Sequence, residues 1–327
     1  DPRRGSRETA MTMPSPQLLQ AAFTTLVGAV TGFGGALLLA LLSASVESLV
    51  TRRAHGRRRR RGVLLLTTPL ADAMKLLSKS SVSRGSWRGF GILVALLPAV
   101  VIAGGLPAGA GLGGLPATVA PEARFLALAG VLAVAPFALL VHGLTTTPTR
   151  RQPATEVIIT LVGAQVALVL CVTALVLSGD TASFFTRSLV DWPLWRHPAG
   201  GLAFLGSLAI LSRGLRHAFG DTGPGRLAPG LADGGGAGIV LLRMSRPLLI
   251  GSASALAAHL YLGAATLPAG VIWAGTGIWI TLVFLLQAAI AADADGLSRL
   301  AWRRVVPLAA IDAAWSLLGL SGVPPWS

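Results

Sequence analysis

The chain has 327 residues, 53% hydrophobic and only 12% charged, with a mean hydropathy of +0.70 and a net charge of +14. That balance excludes an ordinary soluble domain; 20 Pro and 40 Gly would break soluble helices, but membrane helices tolerate them because neighbouring helices satisfy the freed backbone groups. A single cysteine, Cys171, excludes an intrachain disulfide and a four-thiolate iron–sulfur cluster built from this chain alone, so any redox centre is expected on a partner.

Residues 1–17 form a polar N-terminal tail, DPRRGSRETAMTMPSPQ, within which Met11 or Met13 is expected to be the start. Basic residues ahead of an apolar run resemble a signal peptide, but the run at 20–50 is longer than a signal's apolar core and reads as a first span. Crossing a bilayer takes about 20 mostly apolar residues. On that criterion the charge-poor stretches place spans at 20–50, 89–105, 125–144, 157–178, 198–212, 237–263, 268–292 and 305–323, in a single transmembrane domain over 18–323. The expected fold class is therefore all-α: a polytopic membrane protein of about eight transmembrane helices, with both termini on one side.

Basic residues orient the spans, because short cytoplasmic loops carry the Lys and Arg excess. The loop after the first span holds Arg52, Arg53, the run from Arg57 to Arg61, Lys75, Lys79, Arg84 and Arg88. The loops after spans three, five and seven add Arg150, Arg151, Arg213, Arg216, Arg226, Arg299, Arg303 and Arg304. Opposite loops hold only Arg124, Arg187 and Arg196. The arginine-rich loop is expected in the cytoplasm of a bacterium, with the chain in the inner (plasma) membrane.

Five consecutive arginines suit phosphate binding, but no folded nucleic-acid module accompanies them, so no nucleic-acid partner is expected. Attraction to anionic headgroups, at roughly 1 kcal/mol per basic residue, accounts for the run itself. The segment that follows, PLADAMKLLSK, puts Leu70, Met74 and Leu77 on one helical face with Ala71 beside them, and Asp72, Lys75 and Lys79 on the other. This is the pattern of an amphipathic helix lying along a membrane surface on the cytoplasmic side.

Here the sequence resembles the subunit 1 family of respiratory complex I, the membrane-arm family found in bacterial NADH-quinone oxidoreductase. The family pattern is GRVGPNRVGPxGLLQPLADxxKLL, and the arginine run, the apolar stretch and PLADAMKLL follow it in order. GLTTTPTRR, the GAQ at Gly163, the PLW at Pro193, SALAAHLYLG and DGLSRLAWRRVVPLA also fall where the family has related stretches. The resemblance implies a non-redox membrane-arm subunit of an NADH-quinone oxidoreductase that shapes the quinone site and the junction with the peripheral arm. By resemblance, Arg60, Pro69, Asp72, Lys75, Asp221 and Asp233 would line or support the quinone entrance or dock that arm. Its partners would be other membrane-arm subunits, quinone-proximal peripheral-arm subunits, the lipid bilayer and quinone as substrate of the complex. No cofactor or metal would be bound by this chain. The homologous subunit of a membrane-bound hydrogenase or formate hydrogenlyase is an alternative, and a stand-alone transporter or structural membrane protein is another.

The departures from the family are chemical. Where the family carries a cluster of carboxylates between spans five and six, this chain has only Asp221 and Asp233. The usual span-four glutamate becomes apolar around Leu170, and an acidic position of span six falls at Arg246. Intramembrane carboxylates are costly and are retained where they move protons, so this pattern implies a divergent paralogue with reduced proton coupling. Asp312 is the best intramembrane acid left and the candidate for a residual proton relay.

Other signals are weaker. His142 and His259 lie in or near spans but read as packing residues rather than as haem ligands. Gly109, Gly111 and Gly114 match G-x-G-x-x-G without a surrounding βαβ unit, whereas Gly28 and Gly32 suit close helix packing. Arg243 and Arg246 must face protein, water or headgroups, with snorkelling to the cytoplasmic side favoured over a quinone or anion contact.

Overall fold

A computed structural model of the protein describes residues 16–54, Ala71, Met74, Lys75, 151–178, 193–218, 236–262, 269–290 and 294–320. Every element among them is a helix: α1 (Pro16–Ala54), α2 (Arg151–Leu177), α3 (Pro193–Arg196), α4 (Pro198–Ala218), α5 (Gly236–Leu262), α6 (Ala269–Ala289), α7 (Ala294–Leu300), a π-helical turn (Ala301–Val305) and α8 (Val306–Leu320). Runs of Leu, Ala, Val and Ile without charge can satisfy their backbone groups in an apolar medium only by helical hydrogen bonding. Proline marks where helices begin: Pro16, Pro193 and Pro198 each stand first in a helix, where the missing N–H has no partner to lose. Pro247 is the exception, lying inside α5.

Among the described residues three helices are long and apolar enough to cross a membrane: Val157–Leu177 in α2, Pro198–Arg216 in α4 and Gly270–Ala289 in α6. They lie over the stretches read as spans four, five and seven. The stretches 20–50, 237–263 and 305–323 fall on α1, α5 and α8, while 89–105 and 125–144 lie outside the described residues. Outward faces carry bare aliphatic side chains, among them Ile159, Val169, Leu202, Ile278, Leu282, Leu285 and Ile311. A surface so apolar suits lipid rather than water.

Helix α4 is shared by two groups of three. It packs with α2 and α8 on one side and with α5 and α6 on the other, and α1 lies against α5 and α6. Cross-helix contacts give the directions. Leu161 of α2 touches Gly214 of α4 while Cys171 reaches Gly200, so these two run antiparallel. Gly200 meets Asp312 and Gly206 meets Val305, so α4 is also antiparallel to α8. Phe204 against Trp279 and Ser212 against Gln287 make α4 and α6 parallel. Gly251 against Leu39 and Arg246 against Glu47 make α5 antiparallel to α1. Only six residues separate α5 from α6, which pack together, so these two are antiparallel; helices α1, α4 and α6 therefore run opposite to α2, α5 and α8, and Ala54 and Arg151 open to the same side.

The π-helical turn sets which face of α8 looks inward. Leu297, Ala301, Val305 and Ala309 are all buried, at steps of four residues. A regular α-helix turns about 100° per residue, so three such steps would drift by about 120°. The wider π turn absorbs the drift and delivers Asp312 to the interior.

Candidate functional site

Of the residues singled out in the sequence, Arg60, Pro69, Asp72, Asp221 and Asp233 lie outside the described residues. Lys75 is helical and exposed, as are Ala71 and Met74. Asp312 is different: it is only 3% exposed and stands at the centre of a polar cluster inside the bundle.

The cluster draws on four helices. His197, at the break between α3 and α4, places Nδ1 at 3.3 Å from Asp312 Oδ1. The break exists because Pro198 begins α4, which leaves His197 as the last non-helical residue before it. Gly200, one turn into α4, lets the Asp312 carboxylate lie directly on the helix backbone; a Cβ there would run into Oδ2. The same Cβ would come within 3.3 Å of the Tyr261 hydroxyl from α5. Cys171 of α2 donates its thiol hydrogen to the Gly200 carbonyl at 3.3 Å. Its sulfur lies beside the Tyr261 phenol.

Two atoms in this cluster are buried with no hydrogen-bond partner among the described residues: Asp312 Oδ2 and the Tyr261 hydroxyl. Buried polar atoms nearly always have partners, and a lone carboxylate oxygen in an apolar interior is costly. Aromatic rings close the cluster from within. Phe204 meets Tyr261 and Trp279 edge to face and Tyr261 and Trp279 are tilted on each other, with ring centroids 5.7 to 6.3 Å apart.

No protein-family model matches the chain, and no curated protein sequence matches it. Its chemistry has to be read from the side chains themselves. Among the described residues no group of three His, Cys, Asp or Glu side chains is placed to hold a metal ion. The His–Asp contact can bind and transfer a proton, since imidazole and carboxyl both exchange one at these atoms.

A second charged contact lies nearer the opposite end of the bundle. One nitrogen of Arg246 on α5 reaches both carboxylate oxygens of Glu47 on α1, at 2.5 and 2.6 Å, with both side chains 13% exposed. Sequence reasoning favoured Arg246 snorkelling toward headgroups. The structure instead turns it into the protein, because Glu47 supplies a countercharge on a neighbouring helix. Gly251, one turn along α5, lets α1 approach closely at Leu39 and Ser43.

His197 and Tyr261 were missed in the sequence reading, and Cys171 was read only for what it excludes. The available signal for His197 was its place directly before a proline that opens a span. His259 bonds to the Ala255 carbonyl of its own helix at 3.1 Å, as a packing histidine would.

Proposed function

We propose that this chain is a membrane-arm subunit of a complex I-like NADH-quinone oxidoreductase, contributing to the quinone site and to the junction with the peripheral arm, with reduced proton coupling. The observation that carries the proposal is the PLADAMKLL segment. Ala71 and Met74 from its apolar side and Lys75 from its polar side are all helical and exposed, and Met74 is 64% exposed. Helical residues whose apolar side chains, Ala71 and Met74, stand exposed beside a lysine fit a membrane surface or a partner subunit. The helix directions are compatible with the proposed eight spans, which require the first and fourth to open to the same side.

In this reading the chain holds no redox centre. Arg60, Pro69, Asp72 and Lys75 position the quinone headgroup and the peripheral arm. The two remaining loop acids, Asp221 and Asp233, replace a larger carboxylate set and carry little proton current. The protein works in a bacterial inner membrane with its arginine-rich loop in the cytoplasm.

The test is purification of the tagged chain from native membranes in mild detergent. Co-purification of iron–sulfur subunits with quinone reductase activity, lost or halved in Asp72→Ala or Arg60→Ala, supports the reading. Recovery with hydrogenase subunits, or as a stable isolated chain, overturns it. Orientation is checked separately: the thiol of Ser81→Cys should resist an impermeant reagent in intact cells, while that of Thr118→Cys should react.

A further inference from the structure

We propose that Trp302, Arg303 and Arg304, on the π turn between α7 and α8, form a binding site for an anionic phospholipid, with the two arginines taking its phosphate. The inference rests on the membrane-spanning helices and not on the quinone-enzyme reading.

Depth is the first observation. Trp302 Nε1 donates to the Ile159 carbonyl at 3.1 Å, and a Cβ on Gly163 would come within 3.0 Å of the same nitrogen. The indole therefore lies along α2 between residues 159 and 163. The apolar stretch of α2 begins at Val157, so at about 1.5 Å of rise per residue the ring covers a band about 3–9 Å inside its edge. That is the level at which acyl chains give way to headgroups and at which tryptophan anchors membrane helices.

Charge is the second. Arg303 and Arg304 are both exposed, as is Trp302, while Ala301 and Val305 on either side of these three are buried. The π turn thus presents the ring and both guanidinium groups outward. Among the described side chains the carboxylates are those of Glu47 and Asp312, and both are engaged within the bundle, with Arg246 and His197. A guanidinium at this depth is costly unless an anion meets it. Its stem can lie along the apolar surface while its head rises to the phosphates, whose oxygens match its planar fork. Arg213 and Arg216 flank Gly214, which packs on Leu161 of α2, so they add positive charge at the same end of the bundle.

The surroundings choose the ligand. Ile159 stands exposed on α2 beside the indole, and α8 beyond the turn exposes Ile311, Leu317 and Leu318. A phospholipid supplies both halves of what this face lacks: acyl chains for the aliphatic side chains and a phosphate for the arginines. An anionic headgroup fits better than a zwitterionic one, because no cation of its own offsets the phosphate.

The experiment is fluorescence quenching of the full chain in phosphatidylcholine nanodiscs in which a fraction of the lipid, either phosphatidylglycerol or phosphatidylcholine, carries brominated acyl chains. The chain has eight tryptophans, so the signal of Trp302 is the difference between wild type and Trp302→Phe. Each arginine near a headgroup favours an anionic lipid by about fivefold, so Trp302 should select brominated phosphatidylglycerol by roughly 25-fold. The preference should fall to about fivefold in Arg303→Gln or Arg304→Gln and to near parity in the double variant. Should the double variant fail to fold, the single variants carry the comparison. Equal quenching by the two lipids in the wild type overturns the proposal and leaves the arginines to an acidic protein partner. A preference unchanged by the glutamine substitutions overturns it as well. So does a preference abolished by millimolar inorganic phosphate at constant ionic strength, which would assign the site to a free anion.

Discussion

The contact between Gly200 and Asp312 gives the sharpest mechanical prediction. In a helix interior, Gly→Ala is ordinarily stabilising by about 1 kcal/mol, because glycine carries the greater backbone entropy. At position 200 the new methyl carbon would collide with Asp312 Oδ2, lie 3.0 Å from Cγ and press on the Tyr261 hydroxyl at 3.3 Å. The carboxyl must rotate away, which breaks its contact with His197. Overpacking costs about 1–3 kcal/mol and a buried polar group left without its partner about 1–3 kcal/mol more. Subtracting the helix gain, Gly200→Ala should destabilise the protein by about 1–5 kcal/mol. Gly277, on α6, has open space for 4 Å around the place a Cβ would take. Its alanine variant should be neutral or stabilising by up to about 1 kcal/mol. Thermal unfolding of both in one detergent, followed by circular dichroism, compares them directly. Equal midpoints, or a Gly200→Ala more stable than wild type, would refute the packing of the carboxyl on the α4 backbone.

Three further outcomes can be measured in the same way. Glu47→Leu or Arg246→Met alone should cost about 3 kcal/mol by stranding a largely buried charge, whereas the double variant should recover most of it; additive losses would mean that the pair is not coupled. Ser212→Ala removes the donor to Gln287 Oε1, a buried contact of 2.8 Å between α4 and α6, and should cost about 1–3 kcal/mol, visible as a lower unfolding midpoint. Trp302→Phe loses the indole bond to the Ile159 carbonyl at 3.1 Å on an exposed face, and should cost no more than about 1.5 kcal/mol, so a larger loss would point to a deeper role for that ring.

Much of the helical layout was legible in the sequence because the same physics writes both. A bilayer demands long runs without charge, and the runs at 157–178, 198–212 and 268–292 appear as apolar helices with nearby ends. Asp312 could be singled out on its own, since an acid in such a run is rare enough to ask for a reason. Its setting could not be read. The contact with His197 joins residues 115 apart in the chain, and only the packing of α4 between two helix groups brings them together. Arg246 shows the same limit from the other side: its cost in lipid was evident, but its relief by Glu47, 199 residues away, was not. Periodicity also says nothing of a π turn, because a four-residue step in burial emerges only once neighbouring helices define the inner face.

That π turn amounts to one surplus residue in an otherwise ordinary rod from Ala294 to Leu320. Removing a residue within it, such as Arg303, would let the rod close into plain α-helix with both ends still in phase. Removing one between the turn and the acid, at Ala310, would swing Asp312 by about 100° toward the lipid. The rod thus has one place where its length can change without turning the acid out, and the turn works as a phase adjuster between the basic end of the helix and its buried carboxyl.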